Sequence, residues 1–129
     1  MNVVDFSGWL EYFSDSPNAL FFKPAIENQA ELLIPVISIY EVFKRVLQQQ
    51  GEQKALKVIA AMMQGRVIEL DVTTALTAAK ISDELKLPMA DSIILATARI
   101  YEAVLWTQDV DLATIDGVRY VAKRQNRDA

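Results

Sequence analysis

The chain has 129 residues, of which 52% are apolar, and its formal net charge is −4. It has no cysteine, which excludes disulfides, thiolate metal sites and cysteine nucleophiles, and no histidine, which excludes Ser-His-Asp triads and histidine general bases. Any catalysis must therefore use carboxylates, hydroxyls, lysine or arginine. The length and the apolar fraction predict one globular domain spanning residues 1–129.

The sequence carries no sign of a membrane segment. No apolar run approaches the roughly 18 residues that a membrane span needs. The N-terminal segment also lacks the basic region and the following apolar stretch that are typical of a secretory signal. We therefore expect a cytoplasmic protein that does not insert into a membrane.

Short apolar runs predict buried strands at five places along the chain. They cover residues 2–5, 32–36, 67–70, 103–107 and, more weakly, 119–121. Longer segments with helical periodicity lie between them. This alternation predicts an α/β fold in which helices cover both faces of a parallel sheet, giving a three-layer sandwich.

The first connecting segments carry helix start and stop signals. Residues 6–28 predict one or two short helices, interrupted by Pro17 and Pro24. Ser38 predicts the N-cap of a longer helix, and Gly51 predicts its end.

Three further helices are predicted after this point. The first covers residues 52–64, and its period places four side chains inward: Leu56, Ile59, Ala60 and Met63. The second runs from Thr73 or Thr74 to Leu85. The third follows Pro88, and its central turns are apolar nearly all round, which predicts the most buried helix of the fold.

Acidic residues occur where predicted strands end and where predicted helices begin. They are Asp5, Glu41, Asp91, Asp109 and Asp111. In a parallel α/β sheet these points converge on the edge where ligands bind. Crowded carboxylates raise one another's pKa, so a site that keeps them ionised needs a hard cation such as Mg²⁺ or Mn²⁺. Such an ion can support phosphodiester cleavage, and the pattern therefore indicates a metal-dependent nuclease.

Each acid also has a simpler explanation on its own. Asp5 could be the N-cap of a helix that starts near Ser7. Glu41 stands three residues after Ser38, which is the spacing of a capping box. For Glu41 taken alone, the capping box is the favoured explanation.

The same holds for the acids in the second half of the chain. Asp91 could complement the dipole of its helix, and Asp109 and Asp111 could serve a turn or a cap. A shared site would be absent, however, only if all of these separate explanations were correct at once. We therefore favour one shared acidic site.

The net charge of −4 is unusual for an enzyme that binds nucleic acid. The five acids supply five of the negative charges, so the rest of the chain would carry one net positive charge. Five scattered cations favour a solvated face over a dedicated patch: Lys44, Arg45, Lys54, Lys57 and Lys86. The basic run at residues 123–127 is either a solvated terminus or a phosphate contact, and the first is favoured.

The acidic motifs resemble those of PIN-domain ribonucleases, and within them the VapC-type toxins of bacterial and archaeal toxin–antitoxin pairs. The resemblance covers nearly the whole chain. It rests on Val3-Val4-Asp5-Phe6-Ser7, on Glu41 in residues 37–42, on Asp91 in residues 87–98, and on Thr107, Asp109 and Asp111 in residues 105–112. The segment around Asp91 is the most specific of the four.

This resemblance implies a parallel five-stranded sandwich, a Mg²⁺ or Mn²⁺ cofactor, RNA as substrate and a homodimer. It also implies a cognate antitoxin, which binds DNA through its own N-terminal domain. This chain would then contact DNA only indirectly, through the antitoxin. Asp5, Asp91 and Asp109 would hold the metal with Asp111 close by, and Glu41 would hold a second ion or orient water. Ser7 and Thr107 would support the carboxylates by hydrogen bonds.

Three residues depart from the family pattern: Phe6, Gln108 and Leu112. Phe6 is bulky, Gln108 replaces a residue that is often basic, and Leu112 stands where phenylalanine is common. These departures leave the acids intact and affect the RNA contacts beside them. The alternatives are a PIN-like nucleic-acid-binding module without turnover, and an RNA-processing nuclease outside a toxin–antitoxin system.

Overall fold

The computed structural model describes residues 1–124, and its sheet and helices alternate along the chain. The strands are β1 (Asn2–Val4), β2 (Leu32–Pro35), β3 (Arg66–Ile68), β4 (Val104–Thr107) and β5 (Val118–Tyr120). The helices are α1 (Phe6–Phe13), α2 (Ala19–Glu27), α3 (Val36–Gln50), α4 (Glu52–Met62), α5 (Val72–Leu85) and α6 (Met89–Ile100). Two short 3-10 turns cover Gln29–Glu31 and Val110–Leu112.

All strand pairs are parallel, and the sheet order is β3-β2-β1-β4-β5. The chain adds β2 and then β3 on one side of β1, and it then returns to add β4 and β5 on the other side. The order therefore reverses between β1 and β4, where Val4 is in register with Trp106. Such a reversal opens a crevice at the carboxyl ends of the two strands. The predicted α/β sandwich with five parallel strands is confirmed.

Apolar side chains form one core cluster on each face of the sheet. Val3 belongs to the cluster that includes α5 and α6, and Val4 belongs to the cluster that includes α1 to α4. Neighbouring residues of a strand point to opposite faces, which explains this division. In α6 every residue from 92 to 98 is buried, which confirms the predicted burial of this helix. Among the described residues, none of the helices combines the length and apolar composition that a membrane span requires.

Gly8 allows α1 to approach the core closely. A Cβ at this position would lie 2.6 Å from the Phe22 ring and 2.7 Å from a methyl group of Val4. All three residues are buried, so neither neighbour can move freely. We expect Gly8→Ala to lower the free energy of unfolding by about 1–3 kcal/mol, the usual cost of overpacking, despite the better helix propensity of alanine.

Urea denaturation of Gly8→Ala checks this prediction, and Ser14→Ala is the control. Ser14 is an exposed residue at the other end of α1, where it donates to the carbonyl of Leu10. A Gly8→Ala variant as stable as the wild type would show that the core yields at this point.

Two predicted details of α3 and α2 are wrong. The N-cap of α3 is Pro35, and Ser38 is a fully buried residue of the first turn. Strand β2 runs directly into α3 at this proline, so the helix begins two residues before Ser38. Pro24 does not interrupt the second helix but lies inside α2. The carbonyl of Leu20, which loses its helical partner, belongs to an exposed residue and can bind water.

The predicted buried face of α4 is wrong by one position. Its buried residues are Ala55, Val58 and Met62, whereas Leu56 and Met63 are 54% and 55% exposed. Helix α4 packs mainly against α3. The buried residues of α4 belong to the same core cluster as Val42 and Val46 of α3, so the face of α4 one position further along points outward.

Candidate active site

Asp5 lies at the reversal point of the sheet, directly after β1. Its Oδ1 accepts a hydrogen bond from the Gly8 N–H at 2.9 Å, so Asp5 is indeed the N-cap of α1. Its Oδ2 accepts from the Thr107 hydroxyl of β4 at 2.5 Å, and the Ser7 hydroxyl donates to Oδ1 at 3.2 Å. The capping role thus coexists with a position at the crevice.

Burial raises the pKa of Asp5 to about 6, because only 4% of the residue is exposed. The hydrogen bonds from Thr107, Gly8 and Ser7 lower this pKa, and the charge of Asp91 raises it. The desolvation cost exceeds the stabilisation by the three donors. An ionised Asp5 at neutral pH is therefore held at an energetic cost that a nearby cation would relieve.

Glu41 is half-buried on the second turn of α3. Burial, and then the charges of Asp91 and Asp5, raise its pKa to about 7. Its Oε1 is buried with no hydrogen-bond partner in the described part of the chain. A capping box would need Ser38 at the N-cap, so this explanation of Glu41 is wrong.

Asp91 lies in the first turn of α6. Burial, and then the charges of Asp109 and Asp111, raise its pKa above the ordinary range of an aspartate. Because the charge of Asp91 raises the pKa of Asp5, the N-terminal turn of α6 lies close to the crevice that holds Asp5. The dipole of α6 favours the ionised form, but burial outweighs it.

Asp109 and Asp111 follow β4 and are held by a short chain of hydrogen bonds. The Asp109 N–H donates to the Thr107 hydroxyl oxygen, and the Asp111 N–H donates to Asp109 Oδ1, both at 2.9 Å. Asp109 therefore caps the 3-10 turn at Val110–Leu112. Thr107 links this turn to Asp5, because its hydroxyl donates to one aspartate and accepts from the backbone of the other.

The structure thus links all five acids electrostatically through Asp91. The charge of Asp91 raises the pKa of Asp5 and of Glu41, and the charges of Asp109 and Asp111 raise the pKa of Asp91. Within residues 1–124, however, no three carboxylates are already gathered around one point at which they could hold a metal ion. The arrangement is an acidic crevice with side chains at its walls. The roles assigned to the individual residues stay predictions.

A buried polar network beside the crevice was missed in the sequence analysis. The buried Glu11 carboxylate accepts from the Asn18 N–H at 2.8 Å and from Gln108 Nε2 at 3.1 Å. Asn18 Nδ2 in turn donates to Gln108 Oε1 at 2.9 Å and to the carbonyl of Ala122. The signal that could have revealed it was an acid among the aromatic residues of α1, where an ionised carboxylate needs a partner.

This network explains one departure from the family pattern. Gln108 is only 5% exposed, because its amide is used to join β4 to α1 and to the loop before α2. Its amide is thus committed to the network, although the residue also lines a cavity next to Asp109. The network also fixes the backbone next to Asp109.

A cavity of about 540 Å³ opens on this side of the crevice, between Ser7, Asp109 and Lys123. Lys123 and Arg124 of the basic run are exposed, and residues 125–127 lie outside the described part of the chain.

The PIN domain family model matches residues 3–118. The chain belongs to the PIN-domain family. Among solved structures, the PIN domain here is similar to the toxin–antitoxin complex from Klebsiella pneumoniae, with 27% identity and a TM-score of 0.77 over 92% of this chain and 96% of that one. The comparison with curated proteins found no match.

Two more distant structures share the fold. VapC20 of Mycobacterium tuberculosis, a toxin that cleaves the sarcin-ricin loop, is 14% identical with a TM-score of 0.72, covering 90% of this chain and 95% of that one. The DNA-bound VapBC of Salmonella typhimurium is 17% identical with a TM-score of 0.72, covering 94% and 96%. This PIN domain thus has VapC-type toxins as its structural neighbours.

Proposed function

We propose that this PIN domain is a Mg²⁺- or Mn²⁺-dependent ribonuclease and the toxin of a toxin–antitoxin pair. The observation that carries the proposal is the set of five electrostatically linked acids around Asp5 at the reversal point of the sheet, where burial and repulsion by neighbouring acids raise the pKa of Asp5, Glu41 and Asp91. The similarity to the Klebsiella toxin–antitoxin complex and to an RNA-cleaving toxin supports it.

The donor set fits a hard divalent cation. The candidate ligands are all carboxylates, and the buried Oε1 of Glu41 has no hydrogen-bond partner in residues 1–124. We assign Asp5, Asp91 and Asp109 to the metal, with Asp111 close to it. Because the carboxylates are not yet gathered around one point, binding requires side chains at the crevice walls to rotate.

The chain's own residues have distinct tasks in hydrolysis. Thr107 and Gly8 hold Asp5 in a fixed orientation, and Thr107 ties the turn that carries Asp109 to it. Glu41 would orient the attacking water or hold a second ion. When bound, the metal supplies the positive charge that polarises the phosphodiester and makes water a better nucleophile.

Calorimetry with Mn²⁺ on the wild type and on Asp91→Asn tests the metal site. We expect the variant to bind more weakly, because it loses one charge while its fold stays intact. Incubation of the wild type with a panel of RNAs, with Mn²⁺ or with EDTA, tests the activity. Mn²⁺ binding without cleavage of any RNA would instead support a binding module without turnover.

We expect Thr107→Val to weaken Mn²⁺ binding by about 10–100-fold, the usual effect of losing a partner that orients a metal ligand. The valine keeps the volume of the buried side chain but removes the hydroxyl that serves Asp5 and Asp109. Thr107→Ser is the matched control, because it keeps the hydroxyl. Equal affinities of the two variants would contradict this role.

We further propose that a cognate antitoxin binds across the acidic crevice and that it alone contacts DNA. An unmetallated crevice with five acids attracts a basic or amphipathic segment. An inserted arginine would pair with the carboxylates and compete with the metal. The affinity of the antitoxin peptide should then fall as Mg²⁺ rises, by more than in NaCl of the same ionic strength.

We also propose a homodimer that forms through helices. Leu70 and Met89 line an open groove of about 630 Å³ between α5 and α6, and Val72 and Leu76 are exposed on α5. Such an apolar surface favours association with a second copy. Light scattering at roughly tens of micromolar tests this, since a dimer with a Kd of about 1 μM assembles there.

A further inference from the structure

Helix α3 carries a second group of side chains next to the acids. Phe6, Tyr40, Glu41, Lys44, Arg45 and Gln48 line a pocket of about 290 Å³. Tyr40, Lys44 and Gln48 follow one another at four-residue intervals, as do Glu41 and Arg45, so they share one face of the helix. Because Glu41 lines this pocket and also senses the charges of Asp91 and Asp5, the pocket lies beside the acidic crevice.

Within residues 1–124, neither Lys44 nor Arg45 forms an ion pair. Among the described residues, the ion pairs are those of the N-terminus with Glu31 and of Lys86 with Asp83. Lys44 instead lies over the Tyr40 ring, with its Nζ 5.9 Å from the ring centre, and the Arg45 guanidinium lies 5.3 Å from the centre of the Phe6 ring. Aromatic contacts orient these cations without neutralising them.

Tyr40 is unusually open for an aromatic residue, with 60% of its surface exposed. An exposed ring that shares a pocket with two cations is the arrangement that binds single-stranded nucleic acid, since bases stack on the ring and phosphates pair with the cations. An acidic peptide could pair with the cations but would leave the ring unused. The position of the pocket therefore suits an RNA strand whose phosphodiester bond is cleaved at the acids.

We propose that the pocket binds an unpaired nucleotide of the RNA substrate next to the cleaved phosphate. Its base stacks on Tyr40, and its neighbouring phosphates contact Lys44 and Arg45. This inference rests on the proposed ribonuclease function and adds the residues that hold the RNA. It also changes the interpretation of Lys44 and Arg45 from a solvated face to a substrate contact.

Binding of a labelled single-stranded RNA to the full chain tests the proposal. All proteins carry Asp91→Asn, so that the RNA stays intact, and fluorescence anisotropy is measured with Mg²⁺ at several NaCl concentrations. The double variant Lys44→Gln, Arg45→Gln should make the negative slope of log affinity against log salt shallower by about 0.7–1.4, since each phosphate contact on a single strand contributes about −0.7. The matched control is Lys54→Gln, Lys57→Gln on α4, which removes the same charge from exposed positions.

Tyr40→Ala tests the stacking contact separately. It should lower affinity about 5-fold or more, which corresponds to the loss of about 1 kcal/mol of stacking, and should leave the salt slope unchanged. Tyr40→Phe keeps the ring and should bind as the parent does. Tyr40, Lys44 and Arg45 are all exposed, so circular dichroism should show that the variants keep the fold.

The outcomes separate this inference from the proposed function. If the wild type cleaves RNA while the pocket variants bind with the affinity and slope of the α4 control, the pocket is not a substrate site and the ribonuclease function stands. If the pocket variants lose affinity for the antitoxin but keep their affinity for RNA, the pocket is a protein contact and not a substrate site. If the wild type neither binds nor cleaves RNA, both proposals fail.

Discussion

Expression of the wild type alone is expected to arrest bacterial growth, and expression of Asp5→Asn is expected not to. Asn removes the negative charge of Asp5, and its amide oxygen can still accept from the Gly8 N–H, so the N-cap of α1 is retained. Its amide nitrogen then faces the Thr107 hydroxyl, which must accept a hydrogen bond there instead of donating one. RNA cleavage by the purified variant should fall by at least about 100-fold, the lower range for loss of a group that stabilises the transition state.

Asp71→Asn is the matched control for this experiment. Asp71 is also an N-cap, of α5, where its Oδ1 accepts from the Thr74 N–H at 2.8 Å, but it is exposed and contributes no charge to the pKa of the site acids. It should arrest growth as the wild type does. Growth arrest by a folded Asp5→Asn protein would show that toxicity does not come from the acidic crevice.

The stability of the metal-free protein should depend on the protonation of Asp5. Its folded-state pKa of about 6 lies above the ordinary value of 3.8, so the native state binds the proton more tightly than the unfolded state does. The contribution is fully present below pH 3.8 and is lost as the pH rises through about 6. At pH 7.5 the ionised Asp5 should therefore cost about 2–3 kcal/mol of the free energy of unfolding.

Thermal unfolding in EDTA from pH 4.5 to 7.5 measures this effect as the difference between Asp5→Asn and the wild type. The variant should gain relative stability as the pH rises, because it carries no charge to bury. Mn²⁺ at pH 7.5 should then stabilise the wild type and have little effect on the variant. A difference that does not change with pH would contradict a raised pKa of Asp5.

The element types were predictable because they depend on local patterns. Apolar runs marked every strand of the sheet to within two residues at each end, and the apolar character of α6 predicted its burial. Helix starts were less predictable. Ser38 has the chemistry of a cap, but a proline at the end of β2 starts α3 earlier and leaves Ser38 in the core.

The orientation of polar side chains could not be predicted from local patterns. The Glu11 carboxylate is buried because Gln108 reaches it from 97 residues away and Asn18 completes the network. Lys44 and Arg45 have the spacing of a solvated face. Their relation to Tyr40, Phe6 and the acidic crevice depends on how α3 and α1 pack together.

By itself the sequence determined the fold class and the positions of Asp5, Asp91 and Asp109 at the end of a strand or the start of a helix, because hydrophobic period and capping chemistry are local properties. Only the tertiary structure decided which of these ends meet. The strand order β3-β2-β1-β4-β5 places Asp5 beside Thr107, and α6 adds Asp91 to the same crevice. Their raised pKa values follow from this burial and proximity, and neither exists until strands distant in sequence pair.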